Sequence, residues 1–274
     1  MKAVFVLLAR HAPRTLVFAF AALLAIALLP LAGQQPQGGQ PPAGGRGFAG
    51  LIPQGNSEPL PRIPVGFTPI FNGKDLTGWH ISKTNHHGTT PDFHVMPGGV
   101  LVASQNPIGF GGILLTDKRY KNVEIYMEVK PDWGCDSGLF LRSNEAGDAY
   151  QVTLDYLPGG SMGGVYGEGL QGVSMFPATL ALELRQAAQS RFEENWQKAW
   201  KREQWNSVRA RITGNPPRIS TWFNEVPVLE WRDTANHAAD GAEDGMIAIQ
   251  LHIGDRSVPG GLWRWRVIAV KELP

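Results

Sequence analysis

Beyond Val65 the sequence is a series of short segments in which apolar and polar residues alternate. Clusters of Gly, Pro, Asn and Asp separate these segments, which read GVLVAS, VEIYMEVK, SGLFLRS, YQVTLDY, SVRARITG, RISTWFNEVPVLEW, GMIAIQLHI and WRWRVIAVKEL. Alternation with a period of two indicates strands with one buried face, and many short strands at this spacing are typical of an antiparallel sandwich. The 33 Gly and nine Trp residues suit strands and turns. The sequence therefore predicts an all-β domain.

One segment departs from this pattern. Residues 179–202 contain neither Gly nor Pro, which permits a helix of about 20 residues. An apolar residue recurs at every fourth position of the segment: Leu184, Ala188, Phe192, Trp196 and Trp200. This stripe predicts one amphipathic α-helix inserted between strands. Such a helix either covers an edge or face of the sandwich, or forms the wall of a pocket with Trp196 or Trp200.

The N-terminus has the pattern of a secretory signal. Lys2, Arg10 and Arg14 accompany an unbroken apolar run over residues 16–29, and small residues follow it. The run is short for a membrane span, which needs about 20 residues. We expect residues 1–33 to be a signal peptide and the protein to be exported, to the periplasm or the extracellular space, with no membrane association after cleavage. An uncleaved N-terminal anchor is the alternative.

The next segment has the composition of a disordered linker. Residues 34–64 are rich in Gln, Gly and Pro and hold too few apolar side chains to offset the conformational entropy that folding removes. We expect one folded domain over residues 65–274. Without the leader, 22 Lys and Arg face 24 Asp and Glu, a net charge of −2, and this balance argues against a nucleic-acid partner. Cys135 is the only cysteine, so no internal disulfide is expected.

The polar faces of several predicted strands carry chemistry beyond ordinary solvation. Apolar positions of each strand face one side, and the opposite side presents carboxylates, amides, guanidinium groups, imidazole and aromatic rings. The opposing residues include Glu128, Asp136, Arg142, Gln151, Asp155, Gln250, His252 and Arg266. If the strands are neighbours, these side chains form one surface that suits sugar hydroxyls and sugar C–H faces. A solvated sheet face is the other interpretation of the same pattern.

The order of several motifs resembles a bacterial family. The segments IFNGKDLTGW, GGVLVAS, GGILLTDKRYKNVEIYMEVK, DSGLFLRS, YQVTLDY, GGVYG, EQWNSVRARITGN, STWFNEVPV and GMIAIQLH occur in sequence. Together they resemble the 3-keto-disaccharide hydrolase domain over nearly all of residues 65–274. The resemblance implies a concanavalin A-like jelly-roll β-sandwich with its site on the concave sheet. It also implies exported proteins whose substrate is an oxidised saccharide, a 3-keto-glycoside or 3-keto-disaccharide.

The implied reaction is elimination followed by hydration. A ketone at C3 acidifies the C2 proton, a base removes that proton, the C1 aglycone leaves, and water then adds. For catalysis we single out His252, Asp155 and Asp136. For substrate binding the candidates are Arg142, Gln151, Tyr166, Gln250 and Glu128.

Several alternatives remain at this stage. The family commonly has Glu where this chain has Gln151, and an amide accepts no proton near pH 7, so a base role passes to Asp136 or Asp155. Otherwise the protein is a non-catalytic carbohydrate-binding module. An ordinary glycosidase using Glu124 and Glu128 fits poorly, because these residues lie side by side on one strand face. We predict no metal site or cofactor, and the sequence leaves open whether a divalent cation binds. We expect the adjacent residues His86 and His87 to lie in a surface loop.

Overall fold

The computed structural model describes residues 62–155, 157 and 160–274. The predicted signal peptide and most of the predicted linker lie outside the described residues. The strands are β1 (Thr68–Pro69), β2 (Trp79–Ile81), β3 (Asp92–Met96), β4 (Val100–Ser104), β5 (Gly112–Tyr120), β6 (Val123–Val129), β7 (Ser137–Ser143), β8 (Ala149–Leu154), β9 (Met162–Glu168), β10 (Asn206–Thr213), β11 (Arg218–Phe223), β12 (Val226–Arg232), β13 (Gly245–Leu251) and β14 (Trp263–Glu272). The helix α1 covers Leu182–Ala199, and a 3₁₀ turn covers Ala239–Gly241.

The strands form two sheets that pack into a jelly-roll β-sandwich, as the sequence predicts. One sheet has the order β12-β11-β10-β6-β14-β4-β3, with β1 also paired to β14. The other has the order β2-β5-β13-β7-β8-β9. Described strand pairs are antiparallel, and the neighbours are mostly not consecutive in sequence. Residues that are far apart along the chain therefore meet on one face.

The core lies between the sheets and confirms the alternation of the predicted strands. The apolar positions of β6, β8, β13 and β14 are buried: Val123, Ile125, Met127, Val129, Tyr150, Val152, Leu154, Ile247, Ile249, Leu251, Trp263 and Trp265. The last two are stacked indoles whose ring centroids are 5.7 Å apart. Fully burying one large apolar side chain stabilises a fold by roughly 1.5–3 kcal/mol. The core can therefore provide the stability of a chain that has no disulfide.

The segment RISTWFNEVPVLEW forms a β-hairpin. Asn224 and Glu225 connect β11 to β12, and both have positive φ angles, 48° and 67°. Positive φ at both central residues is the requirement of a type I′ turn, which matches the twist of the strands on either side.

The helix α1 is shorter than the predicted segment and only its second half is packed. Phe192 and Ala199 are buried, whereas Leu184 is exposed. The helix packs against β12 and β9, which are edge strands of the two different sheets. It therefore covers an edge of the sandwich, as one of the two predicted roles requires. No helix in the described part of the chain is long and apolar enough to cross a membrane.

The motif IFNGKDLTGW has a structural role. The Asn72 side chain accepts hydrogen bonds from the Lys74 and Asp75 backbone amides, and Asp75 accepts one from Thr77. The hydrogen bonds to its side chain lower the pKa of Asp75 to about 2. Trp79 is buried, and its indole N–H donates to the Ile70 carbonyl at 2.8 Å. This segment closes a turn against the core.

The polar strand faces do not all form one surface, because the strands do not all belong to one sheet. β6 and β14 belong to the eight-stranded sheet, whereas β7, β8 and β13 belong to the six-stranded sheet. Glu128 therefore lies on the far side of the sandwich, where it accepts a hydrogen bond from Arg266 at 2.8 Å. Glu124 occupies the same outer face and binds Arg209 and Arg211. Alternation defines the two faces of a strand, but it does not define the sheet to which the strand belongs.

Candidate active site

A pocket of about 720 Å³ lies on the outer face of the six-stranded sheet. The pocket is lined by β8, by β9, by Asp136 just before β7 and by the segment that follows β13, and the loop between β2 and β3 supplies one wall. Its polar lining consists of His86, His87, Asp136, Gln151, Thr153, Asp155, Ser161, Tyr166, Glu168, Ser174, His252 and Arg256. Trp196 and Trp200 of the helix do not line it. Five of the sequence candidates meet here: Asp136, Gln151, Asp155, Tyr166 and His252.

Two carboxylates share one guanidinium at the end of this pocket. Asp136 immediately precedes β7, and Asp155 immediately follows β8. Arg256 donates from Nε to Asp136 at 2.8 Å, and its terminal nitrogen donates to Asp155. The Asp136 backbone N–H also donates to the Arg256 carbonyl at 2.8 Å. One arginine thus holds both acids beside each other at the pocket surface, with both carboxyl groups largely buried.

The carboxyl of Asp136 has a raised pKa. Burial raises the pKa of its carboxyl to about 6, and the negative charge of Asp155 adds to the rise, while Arg256 and His252 oppose it. A carboxyl with a pKa near 6 is mostly ionised at neutral pH, yet it is a stronger base than an ordinary aspartate. A buried carboxyl with a displaced pKa beside a second charged group in a pocket is characteristic of catalytic sites.

His252 faces the same acid through one defined ring nitrogen. Its Nδ1 lies 2.7 Å from the Ile253 carbonyl, which only accepts, so Nδ1 carries a proton. Nε2 therefore is the nitrogen that exchanges a proton, and it lies 3.8 Å from Asp136 Oδ2. The Gln105 side chain donates to the carbonyls of His252 and Gly254, which ties down the segment that follows β13. The imidazole is thereby positioned from a distant loop.

Two glycines provide the space for these side chains. A Cβ at Gly138 would collide with the amide of Gln151, and a Cβ at Gly160 would collide with the Asp155 carboxylate. Asp155 also accepts a hydrogen bond from the Leu157 N–H at 3.0 Å. Asp155 thus holds a turn at the end of β8 and also lines the pocket.

A chain of hydrogen bonds runs beneath the centre of the pocket. Gln151 donates to Gln250 at 3.0 Å, and the Gln250 amide nitrogen lies 2.9 Å from His87 Nε2. Gln250 is buried and is not among the pocket-lining residues, so it orients its neighbours rather than facing the pocket. The sequence correctly placed Gln151 and Gln250 on one face, but only Gln151 is accessible from the pocket.

The adjacent histidines form a cluster with a glutamate that the sequence analysis did not select. His86 Nε2 lies 2.9 Å from Glu168 Oε1, and His87 Nε2 lies 3.6 Å from the same oxygen. The expectation of a surface loop is wrong for His87, which is buried, although His86 is exposed. Burial lowers the pKa of His87, against the opposing effect of Glu168. The two rings lie together, with centroids 4.1 Å apart, because they belong to a turn and not to a strand.

Arg142 does not lie in the pocket. Its guanidinium donates to the carbonyls of Lys121 and Gly214, and the residue itself has a positive φ of 53° at the end of β7. Among its described contacts, Arg142 has no ion pair with Asp136, Asp155 or Glu128. Arg256 has that role for the two aspartates, and Arg266 has it for Glu128.

Sequence reasoning missed two residues of the site, Arg256 and Glu168. Arg256 lies in a segment of Gly, Asp, Ser and Pro that contains no recognisable pattern. Glu168 follows Tyr166 by two positions, so the alternation of β9 places both on one face and was a usable signal. Tyr166 itself is also part of this strand.

Comparison with known proteins assigns the chain to a family. Residues 66–271 match the model of the 3-keto-alpha-glucoside-1,2-lyase-like domain. The chain belongs to this family. Because the matched range includes every residue that lines the pocket, the pocket described above lies within the 3-keto-alpha-glucoside-1,2-lyase-like domain. A search of curated proteins finds no match.

Solved structures with similar folds include two from Parabacteroides distasonis ATCC 8503, each named a candidate glycosyl hydrolase. One is 17% identical with a TM-score of 0.47 and covers 76% of this chain and 94% of its own. The other is 18% identical with a TM-score of 0.48 and covers 76% of this chain and 99% of its own. The carbohydrate-binding module CBM66 from Bacillus subtilis is 9% identical with a TM-score of 0.44, and it covers 71% of this chain and 96% of its own.

Proposed function

We propose that this protein cleaves 3-keto-glycosides by elimination across C1 and C2, followed by hydration. The observation that carries the proposal is the group of Asp136, Asp155, Arg256 and His252, in which one buried carboxyl has a pKa of about 6. It opens onto a pocket large enough for a sugar ring, in a chain that belongs to a lyase-like family. Elimination beside a ketone needs such a base and does not need the two opposed carboxylates of ordinary glycosidases.

In the first step Asp136 is the general base. Its carboxylate takes the C2 proton, and the electron pair of the C2–H bond moves into the C3 carbonyl to form an enolate. Asp155 and Arg256 are positioning residues in this step. Asp155 raises the pKa of Asp136 through its charge, and Arg256 holds both carboxylates in place.

In the second step the enolate re-forms the C3 ketone, a C1–C2 double bond appears, and the C1–O bond to the aglycone breaks. His252 Nε2 donates a proton to the departing oxygen, and its fixed Nδ1–H bond keeps that nitrogen directed at the pocket. Water then adds its oxygen to C1, and C2 regains a proton. The sum is hydrolysis of the glycosidic bond, with no net change in oxidation state.

The remaining pocket residues suit recognition of a sugar. The Gln151 amide and the Thr153 and Ser161 hydroxyls are hydrogen-bonding groups on the floor, and Thr153 and Ser161 lie 2.8 Å apart. Tyr166 is 57% exposed although it sits among buried strand residues. An exposed aromatic ring beside polar groups is suited to cover the C–H face of a sugar.

Replacement of Tyr166 tests this role. We expect Tyr166→Ala to raise KM about 10-fold, equivalent to about 1.4 kcal/mol of binding, with little change in kcat. Tyr166→Phe is the matched control, since it keeps the ring and should keep KM near the wild-type value. Steady-state kinetics with a 3-keto-glucoside measure both. An equal loss in the two variants would assign the effect to the hydroxyl and contradict stacking.

The second candidate function is a carbohydrate-binding module without catalysis. The observation that favours it is Gln151, an amide at the centre of the pocket where the family commonly has a carboxylate. The same floor residues and Tyr166 would then bind an intact saccharide.

One experiment separates these functions. Purified protein is incubated with a 3-keto-glucoside and with the unoxidised parent glucoside, and aglycone release is measured beside calorimetric binding. We expect release from the 3-keto-glucoside alone. Binding of both sugars without release would establish the module, whereas release from the parent would indicate ordinary glycosidase chemistry. The signal-like N-terminus adds the proposal that this activity is located outside the cytoplasm.

A further inference from the structure

The cluster at the side of the pocket has the composition of a metal site. One ligand atom from each of His86, His87 and Glu168 lies within 4.8 Å of the other two. Two imidazoles and one carboxylate are the ligands of catalytic zinc sites and of other divalent transition metals, in which coordination positions remain open for water or substrate. The cluster is separate from the acids that Arg256 holds, because neither Asp136 nor Asp155 belongs to it.

An independent observation points to a missing ligand of His87. This imidazole is only 3% exposed, and its Nδ1 has no hydrogen-bond partner among the described residues. Its other nitrogen faces the amide nitrogen of Gln250 and the Glu168 carboxylate. Gln250 Nε2 and His87 Nε2 lie 2.9 Å apart, so one of the two nitrogens accepts a hydrogen bond from the other. Whichever way the Gln250 amide is oriented, His87 Nδ1 has no partner among the described residues. A buried polar atom without a partner is costly, so the described residues alone leave the surroundings of this ring incomplete.

The spacing of the three side chains also suits a single ion. Zinc binds nitrogen and oxygen at about 2.0–2.2 Å, so two ligands of one ion are at most about 4.4 Å apart. The observed contacts of 2.9 and 3.6 Å between Glu168 and the two imidazoles fall below that limit. His87 and Glu168 are held in the protein interior, and the exposed His86 side chain is free to complete the set.

We propose that His86, His87 and Glu168 bind one divalent transition-metal ion whose open positions face the pocket. All three residues line the pocket, and the ring of His252 lies 4.9 Å from that of His87. The ion is therefore close to the group that transfers the proton. At its open positions the ion would bind two neighbouring sugar oxygens, the C3 ketone and an adjacent hydroxyl. This part rests on the proposed function and adds to it a positive charge that stabilises the enolate oxygen.

Metal binding is tested first without any sugar. The full chain is treated with EDTA, dialysed and titrated with Zn²⁺ by calorimetry, and with Co²⁺ by visible absorption. We expect one ion per chain. His86→Ala and Glu168→Gln should each weaken binding by more than about 100-fold, which exceeds the usual effect of residues that only support a ligand. Saturable binding that both variants retain, or no saturable binding by the wild type, overturns the proposal.

His94→Ala is the matched control for these variants. His94 is an exposed histidine with a carboxylate, Asp92, at 3.0 Å, and neither residue lines the pocket. Unchanged binding by this variant shows that an arbitrary surface His–Asp pair does not account for the ion. If His94→Ala loses the ion while His86→Ala keeps it, the site lies elsewhere and the assignment is wrong.

Ligation of the sugar is tested with the Co²⁺-loaded protein. We expect a 3-keto-glucoside to change the visible spectrum of the wild type, with a smaller effect from the parent glucoside. An unchanged spectrum in protein that binds both Co²⁺ and the keto-sugar overturns the proposed ligand. These results are independent of turnover. If the loaded protein binds the ion through the three residues but leaves the 3-keto-glucoside intact, the proposed cleavage fails and the metal site stands.

Discussion

Asp136→Asn is expected to lower kcat for a 3-keto-glucoside by about 10²–10⁴-fold, the range that positioned acid–base groups contribute. The amide keeps the shape of the carboxyl and accepts no proton at C2. In the wild type, kcat/KM should rise through a pH of about 6, because the Asp136 carboxylate must be ionised to act as a base. Rates measured between pH 4 and pH 8 provide this profile.

Asp132→Asn is the matched control for this variant. Asp132 lies four positions earlier in the chain, binds Arg264 at 2.6 Å, and does not line the pocket. The Asp132→Asn variant should retain the wild-type rate and pH profile. If Asp136→Asn also retains full activity, Asp136 is not the base.

Asp136→Asn is also expected to stabilise the fold at neutral pH. The pKa of Asp136 is raised in the folded state, so its ionisation costs stability that is regained when the pH falls below the unfolded value near 4. The Asn variant avoids this cost, and we expect a gain of about 1–3 kcal/mol in the free energy of unfolding at pH 7. Urea denaturation at pH 7 and at pH 4 should show a gain that disappears at the lower pH. Loss of activity with gain of stability is typical of a functional group held in a costly position.

Arg256→Met is expected to have the second-largest effect on the reaction, through its rate and its pH profile. Without the guanidinium, two adjacent buried carboxylates repel each other, and the pKa of Asp136 should rise further. We expect the acid limb of the pH profile of kcat/KM to shift to higher pH by at least about one unit. The maximal rate should also fall, because Asp136 and Asp155 are no longer held in place. Stability should be lowest at high pH, where both acids ionise, and should approach the wild-type value as the pH falls below about 4.

Arg264→Met is the corresponding control. Arg264 forms an ion pair with Asp132 on the eight-stranded sheet, and its side chain is exposed to a similar degree, 27% against 33% for Arg256. It should leave the pH profile of the reaction unchanged. If Arg256→Met has the same acid limb as the wild type, the arginine does not control the ionisation of Asp136.

The sequence by itself determined the strands and their faces. Alternation is a local property, so the buried positions of β6, β8, β13 and β14 could be predicted from their neighbours in the chain. The hairpin at Asn224 and the inserted helix are equally local. The same reasoning correctly selected Asp136, Gln151, Asp155 and His252 as polar side chains that the fold brings together.

Only the tertiary structure decided which of these groups meet and which cations accompany them. The six-stranded sheet places β13 between β5 and β7, so Arg256 reaches Asp136 across 120 positions of sequence. Glu128 and Arg142 have the same local pattern as the residues that line the pocket, but one lies on the other sheet and the other binds backbone carbonyls. His86 and His87 reach Glu168 through a turn whose course no periodicity describes. Strand order and loop paths depend on long-range packing, which alternation along one strand does not encode.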